Sequence, residues 1–181
     1  MPKKIDPLNK KHIGAVTASL CVKDVKAAAA FYQKALGFEK RSIMNGPDRK
    51  PIHAELRLRD TVIMLGPEFL DMGFRSAKTL GASPIGLYLM TENVDKVVAK
   101  ALKLGATAQG PVADQFWGDR CGRIVDPEGY TWTIATHIAE PTPAEMKKKM
   151  AEEMKKWSAQ SAQPSAATAQ PSQTTAATNA S

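Results

Sequence analysis

The first half of the chain contains four short segments with the pattern or composition of strands. Residues 16–22 and 53–59 alternate between apolar and polar positions, which is typical of half-buried strands, and residues 38–43 and 62–65 are shorter strand-like segments. A helical repeat of apolar residues follows the first strand. Asp24 is placed to cap this helix, which continues to about Leu36, and Gly37 ends it in a left-handed conformation. The first half therefore predicts the element order β-α-β-β-β.

The second half repeats this order. Residues 85–90 predict a strand, Asn93 caps a helix through Leu104, and Gly105 ends that helix. Residues 107–112 predict a short strand. The two capping residues are 69 positions apart and the two terminating glycines 68, which indicates an internal duplication. We therefore predict an α+β fold with two βαβββ units, about 13–66 and 84–140, which form a curved mixed sheet around a concave cavity.

A tight turn closes the predicted final hairpin. It is the sequence Asp-Pro-Glu-Gly at residues 126–129, in which proline pre-sets one turn dihedral and Gly129 takes the left-handed position. β-Branched and aromatic residues flank the turn, so two antiparallel strands are expected to meet there. Trp132 alternates away from Thr133 and is predicted to pack in the core under a helix.

The charge of the chain is concentrated outside the duplicated units. The net charge is +7, of which residues 1–12 contribute +3 and residues 141–157 contribute +2. A nearly neutral body with a basic fringe argues against nucleic-acid binding, which usually needs a concentrated basic face. No apolar run approaches the roughly 18 residues of a membrane span. Cys21 and Cys121 are interpreted as buried reduced thiols, and a cytoplasmic location is expected.

The ends of the chain differ in composition from the units. Residues 1–12 are interpreted as a basic, flexible lead-in. Residues 141–157 predict an amphipathic helix that begins with a capping box at Thr142 and Glu145. Its apolar stripe consists of Met146, Met150, Met154 and Trp157. Residues 158–181 are uncharged and rich in Ala, Ser, Thr and Gln, so they predict a disordered tail.

Two motifs carry a resemblance to a known family. Residues 19–38 read as a strand, an Asp-Val cap and the sequence F-Y-x-x-x-L-G-F, and residues 117–137 combine W-G-D-R, the D-P-E-G turn and T-W-T-I-A-T-H. Together they resemble the vicinal-oxygen-chelate superfamily of glyoxalases, bleomycin-resistance proteins and dioxygenases, most of all its PhnB-like branch. The resemblance covers about residues 13–140. It implies a homodimer with a small-molecule cavity.

The resemblance also implies where a metal would bind. Metal-dependent members hold four ligands on the concave face, usually His, Glu or Gln, and those positions map here to Thr17, Met64, Gly86 and Thr133. Two hydroxyls, a thioether and a glycine do not make a divalent site. No metal and no other cofactor is therefore expected.

Four residues are candidates for ligand binding. Tyr88 shares a strand face with Gly86, Trp117 and Arg120 flank Gly118, and His53 lies on the polar face of its strand with Glu55. A tryptophan beside an arginine suits a planar or anionic ligand, although Trp117 packing at a core edge or dimer seam and Arg120 pairing with Asp119 or Asp114 are equally open. His137 is placed at the cavity rim, and His12 in the lead-in is expected to be solvated.

Two functions remain open at this point. The leading one is a metal-independent small-molecule-binding protein of the bleomycin-resistance type, which sequesters a planar or anionic compound. The alternative is a metal-dependent lyase, isomerase or dioxygenase of the same superfamily, with His53, Glu55 and His137 as the first candidate ligands. No catalytic residue can be assigned from spacing alone.

Overall fold

The computed structural model describes residues 14–161. Nine strands and four α-helices follow one another along this range. The strands are β1 Ala18–Val22, β2 Glu39–Asn45, β3 Pro51–Leu58, β4 Thr61–Pro67, β5 Gly86–Met90, β6 Thr107–Ala108, β7 Ala113–Asp114, β8 Asp119–Val125 and β9 Thr131–His137. The helices are α1 Val25–Leu36, α2 Ala77–Leu80, α3 Val94–Lys103 and α4 Pro143–Ser161.

The strands form two sheets of the same design. The first has the order β1-β4-β3-β2 and the second β5-β9-β8-β6, with β7 also paired to β8. In each sheet the first strand is parallel to the last, and the inner pair is antiparallel. The pairs Ser19–Met64 and Tyr88–Thr133 occupy equivalent places in the two sheets. Tyr88 follows Ser19 by 69 residues, and Thr133 follows Met64 by the same number. The predicted duplication and α+β fold are confirmed.

Helices α1 and α3 are capped by the residues that the sequence predicts. The Asp24 side chain accepts a hydrogen bond from Ala27 N, and the Asn93 side chain accepts one from Lys96 N. Gly37 follows α1 with φ 81°, in the left-handed region. These contacts satisfy backbone groups that have no partner within the helix, so they fix where each helix begins and ends.

In each sheet one face packs against α1 or α3, and the opposite face points away from these two helices. One core cluster contains the helix-facing residues of both sheets together with the buried faces of α1 and α3. We call the opposite faces the first and second open faces. The first carries Ser19, Cys21, His53, Glu55 and Met64. The second carries Gly86, Tyr88, Asp119, Cys121, Arg123, Val125, Thr131, Thr133, Ala135 and His137.

The D-P-E-G turn joins the second unit to the first. Asp126 is buried and accepts hydrogen bonds from Tyr32 Oη at 2.7 Å and Trp132 Nε1 at 2.8 Å. Glu128 Oε2 accepts one from Lys23 N at 2.7 Å, and Tyr130 Oη donates to the Cys21 carbonyl at 2.8 Å. Trp132 is thus a core residue, as its position in the sequence predicted.

Some boundaries differ from those predicted. The segment 66–83, for which no structure was predicted, contains a 3₁₀ turn at Leu70–Met72 and the short helix α2. Strand β8 begins at Asp119, and residues 107–112 supply only the two-residue strand β6. β7 follows as a further short strand, because Ala113 and Asp114 pair with Cys121 and Arg120.

Helix α4 belongs to a compact unit of its own, which starts at Pro141. The predicted capping box is present, since Thr142 Oγ1 and Thr142 N both donate to Glu145 Oε2 at 2.9 and 2.8 Å. The helix continues to Ser161 rather than ending at residue 157. The predictions for residues 1–12, including His12, and for residues 162–181 lie outside the described residues. No helix of the described range is long and apolar enough to cross a membrane.

Candidate functional site

Three side chains converge on Asp119 of the second open face. Tyr88 Oη and Trp117 Nε1 donate to Asp119 Oδ2 at 2.9 and 3.0 Å, and His137 Nδ1 lies 2.8 Å from Asp119 Oδ1. Tyr88 stands on β5 and Asp119 on β8, with β9 between them, so the tyrosine ring crosses β9. Ala135, which lies on this face of β9 opposite Cys121, is fully buried. Asp119 therefore fixes the orientation of two aromatic side chains.

These hydrogen bonds shift the pKa of each titratable group. The hydrogen bond from His137 is the main cause that lowers the pKa of Asp119, and the same bond raises the pKa of His137. Burial of its hydroxyl, helped by hydrogen bonds with Cys121 and Asp119, raises the pKa of Tyr88. The residue as a whole is 54% exposed. Asp119 is thus held as a carboxylate, and His137 favours its protonated form.

A cavity of about 440 Å³ lies at the turn end of the same hairpin, at the opposite end of β8 and β9 from Asp119 and His137. Val125 and Thr131, which pair across the final hairpin, lie on the second open face and line it. Ala77, Lys78 and residues 81–83 line it from another side. Gly86 pairs with Thr131, and a Cβ built on Gly86 would have no atom within 4 Å. The sheet surface next to Thr131 therefore has free space above Gly86, the residue two positions before Tyr88 on β5.

The two arginines of β8 point to opposite faces. Arg120 lies on the helix side, where it binds Asp95 Oδ2 at 2.9 Å and Asp114 Oδ1 at 2.7 Å. Arg123 is exposed on the second open face, opposite Thr133. The structure thus brings Tyr88 and Trp117 together at Asp119. It places Arg120 on the other side of the sheet, where the pairing with Asp114 that the sequence left open is present. A role of Arg120 in ligand binding would require both ion pairs to open.

Comparison with known proteins identifies the fold family. The sequence profile of the Glyoxalase/Bleomycin resistance protein/Dioxygenase superfamily matches residues 11–134. The chain belongs to this superfamily. An uncharacterised protein of Mycobacterium tuberculosis (strain ATCC 25618 / H37Rv) is 33% identical over 142 residues, which are 77% of this chain and 84% of that protein. A second uncharacterised protein, from Mycobacterium bovis, is also 33% identical and is covered over 93% of its length.

Solved structures of the superfamily share the fold at low sequence identity. TioX from Micromonospora sp. ML1 has a TM-score of 0.55 and 20% identity, over 69% of this chain and 99% of that one. A gene product of Arabidopsis thaliana has a TM-score of 0.55 and 24% identity, over 68% of this chain and 98% of that one. At this level of identity the likeness shows the fold alone.

The positions that hold metal in metal-dependent members of the superfamily do not fit a metal here. Met64, Gly86 and Thr133 lie on the open faces, and Thr17 directly precedes β1. Thr17 Oγ1 is buried without a hydrogen-bond partner in the described range, but one neutral hydroxyl beside a thioether and a glycine does not bind a divalent ion. No group of three or more His, Cys, Asp or Glu in residues 14–161 is arranged to hold one.

His53 occupies the first open face, as its alternation predicted. Its Nε2 lies 3.8 Å from Glu55 Oε1, and Glu55 Oε2 is 3.3 Å from Arg41 Nη1. Glu55 is therefore engaged by an arginine, which competes with any cation for its oxygens. His53, Glu55 and Arg41 therefore form a paired group of polar side chains on the sheet surface rather than a metal site.

A second hollow, of about 280 Å³, lies between α1 and the D-P-E-G turn. Its walls are mostly alanine and aromatic side chains of α1, and its carboxylates are those of Asp126 and Glu128. Both carboxylates already accept hydrogen bonds that join the two units. The second open face is therefore the better candidate for a ligand site.

Sequence reasoning missed Asp119, Arg123 and Lys78. The signal for Arg123 was present in the hairpin, because the D-P-E-G turn pairs Val125 with Thr131 and therefore Arg123 with Thr133. Counting two residues at a time from that turn places Arg123, and not Arg120, on the face of Thr133. Lys78 could not be found this way, because α2 lies in a segment without a predicted structure and its position at the cavity depends on the tertiary fold.

Proposed function

We propose that this protein is a metal-independent small-molecule-binding protein of the bleomycin-resistance type, in the PhnB-like branch of the superfamily. It sequesters a planar compound on the second open face. The 440 Å³ cavity carries the proposal, because Thr131 and Val125 in its wall lie one row of side chains along the sheet from Tyr88, Thr133 and Arg123. Its volume lies within the range of small-molecule pockets, which run from about 300 to 1,000 Å³.

The aromatic side chains give this surface its preference for a flat ligand. Tyr88 and Trp117 are 54% and 37% exposed, yet the polar atom of each is bound to Asp119. Their orientations are thus fixed before a ligand arrives, which reduces the entropy lost on binding. The absent side chain of Gly86 leaves space for a ring next to that of Tyr88.

A second copy of the chain is expected to complete the site. Strands β1 and β5 are each hydrogen-bonded on one side only within the described range, and both open faces point away from the core that α1 and α3 share with the sheets. Unpaired strand edges are sites of association between chains. We therefore propose a homodimer, with twice the 19.6 kDa mass of one chain, to be measured by light scattering at micromolar concentration. A monomer would contradict this part of the proposal.

A screen of planar compounds by thermal shift tests the binding function. A ligand present at 100 times its dissociation constant stabilises the folded state by about 2.7 kcal/mol. Compounds that raise the melting temperature of the wild type should lose most of that effect with Tyr88→Ala. The control is Tyr130→Phe, which lies outside the second open face. If Tyr88→Ala keeps every shift, the ligand does not bind beside Tyr88.

The same screen with divalent metals tests the enzyme alternative. A lyase, isomerase or dioxygenase of the metal-dependent kind would purify with stoichiometric metal, measured by plasma emission spectroscopy. Such a result would overturn the metal-independent proposal, and the His53 and Glu55 pair on the first open face would then be examined first.

A further inference from the structure

Two cationic side chains border the proposed ligand surface. Lys78 lines the cavity, where it is the one charged residue among the residues that surround it in the described range. Arg123 lies one strand beyond Thr133 on the same face, next to Val125, which lines the cavity floor. The side chain of Arg123 forms no ion pair or hydrogen bond with residues 14–161, whereas Arg120 on the other face holds two carboxylates.

The carboxylates near this surface are already engaged. Asp119 receives hydrogen bonds from Tyr88 and Trp117 and is paired with His137. Glu128, which lies close enough to Lys78 for their charges to interact, is buried and accepts a hydrogen bond from Lys23 N. Both of these carboxylates are therefore engaged by groups other than Arg123.

The immediate surroundings of Arg123 are uncharged. Its cross-strand partner is Thr133, its neighbours on the same face of β8 are Cys121 and Val125, and its carbonyl accepts a hydrogen bond from Gln109 N. The segment 109–112, between β6 and β7, contains glutamine, glycine, proline and valine. An unbalanced guanidinium at the edge of an aromatic surface attracts an anion and offers it two parallel N–H donors.

The spacing of the strands suits an aromatic ring that carries an anionic group. Tyr88, Thr133 and Arg123 occupy one row across three adjacent strands. Strands lie about 4.8 Å apart, so the backbones of Tyr88 and Arg123 are separated by about 10 Å. A ring that lies over Thr131 and Thr133 beside Tyr88 therefore ends near Arg123. The two threonines leave that floor without a charge of its own.

We propose that the ligand of the second open face is an aromatic carboxylate, whose ring lies against Tyr88 and whose carboxylate binds Arg123, with Lys78 as a second positive charge. This inference rests on the proposed binding function. It narrows the planar compound of that proposal to one with a negative charge, and it assigns the selectivity for that charge to Arg123.

Two probes of equal shape separate charge recognition from ring binding. We choose 2-naphthoate and 2-naphthamide, which share the planar body and differ in the anionic group, and measure their dissociation constants by isothermal titration calorimetry. The wild type should bind naphthoate about tenfold or more tightly than naphthamide, the effect expected of charge-assisted hydrogen bonds. Arg123→Gln should remove this preference by weakening naphthoate alone, and Arg123→Lys should keep part of it.

Matched variants distinguish the two levels of the proposal. Lys100→Gln removes one positive charge from α3, an element on the other side of the sheet, and should leave both affinities unchanged. Tyr88→Ala should weaken both probes together. Equal affinity of the wild type for both probes, or an undiminished preference in Arg123→Gln, overturns the carboxylate inference while ring binding stands. If neither probe binds, the carboxylate inference and ring binding on this face are both overturned.

Discussion

Tyr32 and Asp126 are 94 residues apart in sequence and are joined by a 2.7 Å hydrogen bond inside the core. Tyr32 lies on α1 of the first unit, and Asp126 opens the final turn of the second. Both are buried, with 0% and 4% exposure. The contact ties the two halves of the duplication together at a point where neither half has a strand paired to the other.

We predict that Tyr32→Phe lowers the free energy of unfolding by about 1.5–3 kcal/mol, the usual contribution of a hydrogen bond to a charged group. Asp126 loses one of its donors inside the core, while the ring packing is kept. Urea denaturation measures the change. Tyr88→Phe is the matched control, because its hydroxyl bonds Asp119 on an exposed face. Equal losses in the two variants would show that the buried Tyr32–Asp126 hydrogen bond contributes no more to stability than the exposed Tyr88–Asp119 one.

The pH dependence of stability reports on Asp126 separately. Burial raises the pKa of Asp126 despite four hydrogen bonds that lower it. Between the ordinary aspartate pKa of about 3.9 and the raised value, the folded state binds more protons than the unfolded state. The contribution of this group to stability therefore falls as the pH rises through that window. The difference in unfolding free energy between the wild type and Asp126→Asn should shift against the wild type over the same interval, and a constant difference would contradict a raised pKa.

Substitutions of Gly129 and Gly86 by alanine should differ strongly in their effect on the free energy of unfolding. Gly129 has φ 89°, and a Cβ there would lie 2.7 Å from Lys78 N and 2.9 Å from the carbonyl carbon of Ala77. Gly129→Ala combines left-handed strain with a backbone clash, so it should cost about 2–5 kcal/mol of unfolding free energy. Gly86→Ala meets no atom within 4 Å and should be nearly neutral in the same denaturation experiment. A comparable cost for both would mean that α2 can move away from the turn.

The sequence predicted features that depend on neighbours in the chain and missed those that depend on the register between strands. Asp24 and Gly37 bound α1 through contacts within a few residues, so their roles follow from residue type and spacing. The three donors of Asp119 come from β5, β9 and the segment before β8, and their meeting depends on how these strands pair. Arg120 and Arg123 lie on opposite faces of β8, so the register of the hairpin, and not residue type, determines which of them shares a face with Thr133.

The pair of His137 and Asp119 should make a second pH-dependent contribution to the stability of the folded protein. The hydrogen bond with Asp119 raises the pKa of His137, so the charged pair contributes its full stability below the ordinary histidine pKa of about 6.5. That contribution is lost as the pH rises through the raised pKa. The melting temperature of His137→Gln should therefore fall below that of the wild type at pH 6 and approach it at higher pH. A difference that grows with pH would contradict the assignment.

The last prediction concerns metal binding at the four positions that hold ligands in metal-dependent relatives. Nickel, zinc or manganese should not raise the melting temperature of the wild type, because Thr17, Met64, Gly86 and Thr133 offer too few donors. A site with micromolar affinity would add about 2.7 kcal/mol at 100-fold excess over its dissociation constant.

Restoring ligands tests whether those positions converge. Gly86 pairs with Thr131 and Thr133 with Tyr88, so Gly86 and Thr133 are diagonal neighbours on adjacent strands of one face. Gly86→His with Thr133→Glu should therefore create a weak two-ligand site within one sheet. Adding Thr17→His, from the other sheet, should strengthen nickel binding by calorimetry if the two open faces share one cavity. If the third substitution adds nothing, the first sheet does not contribute to the site on the second, and the enclosed-cavity arrangement is wrong for this chain.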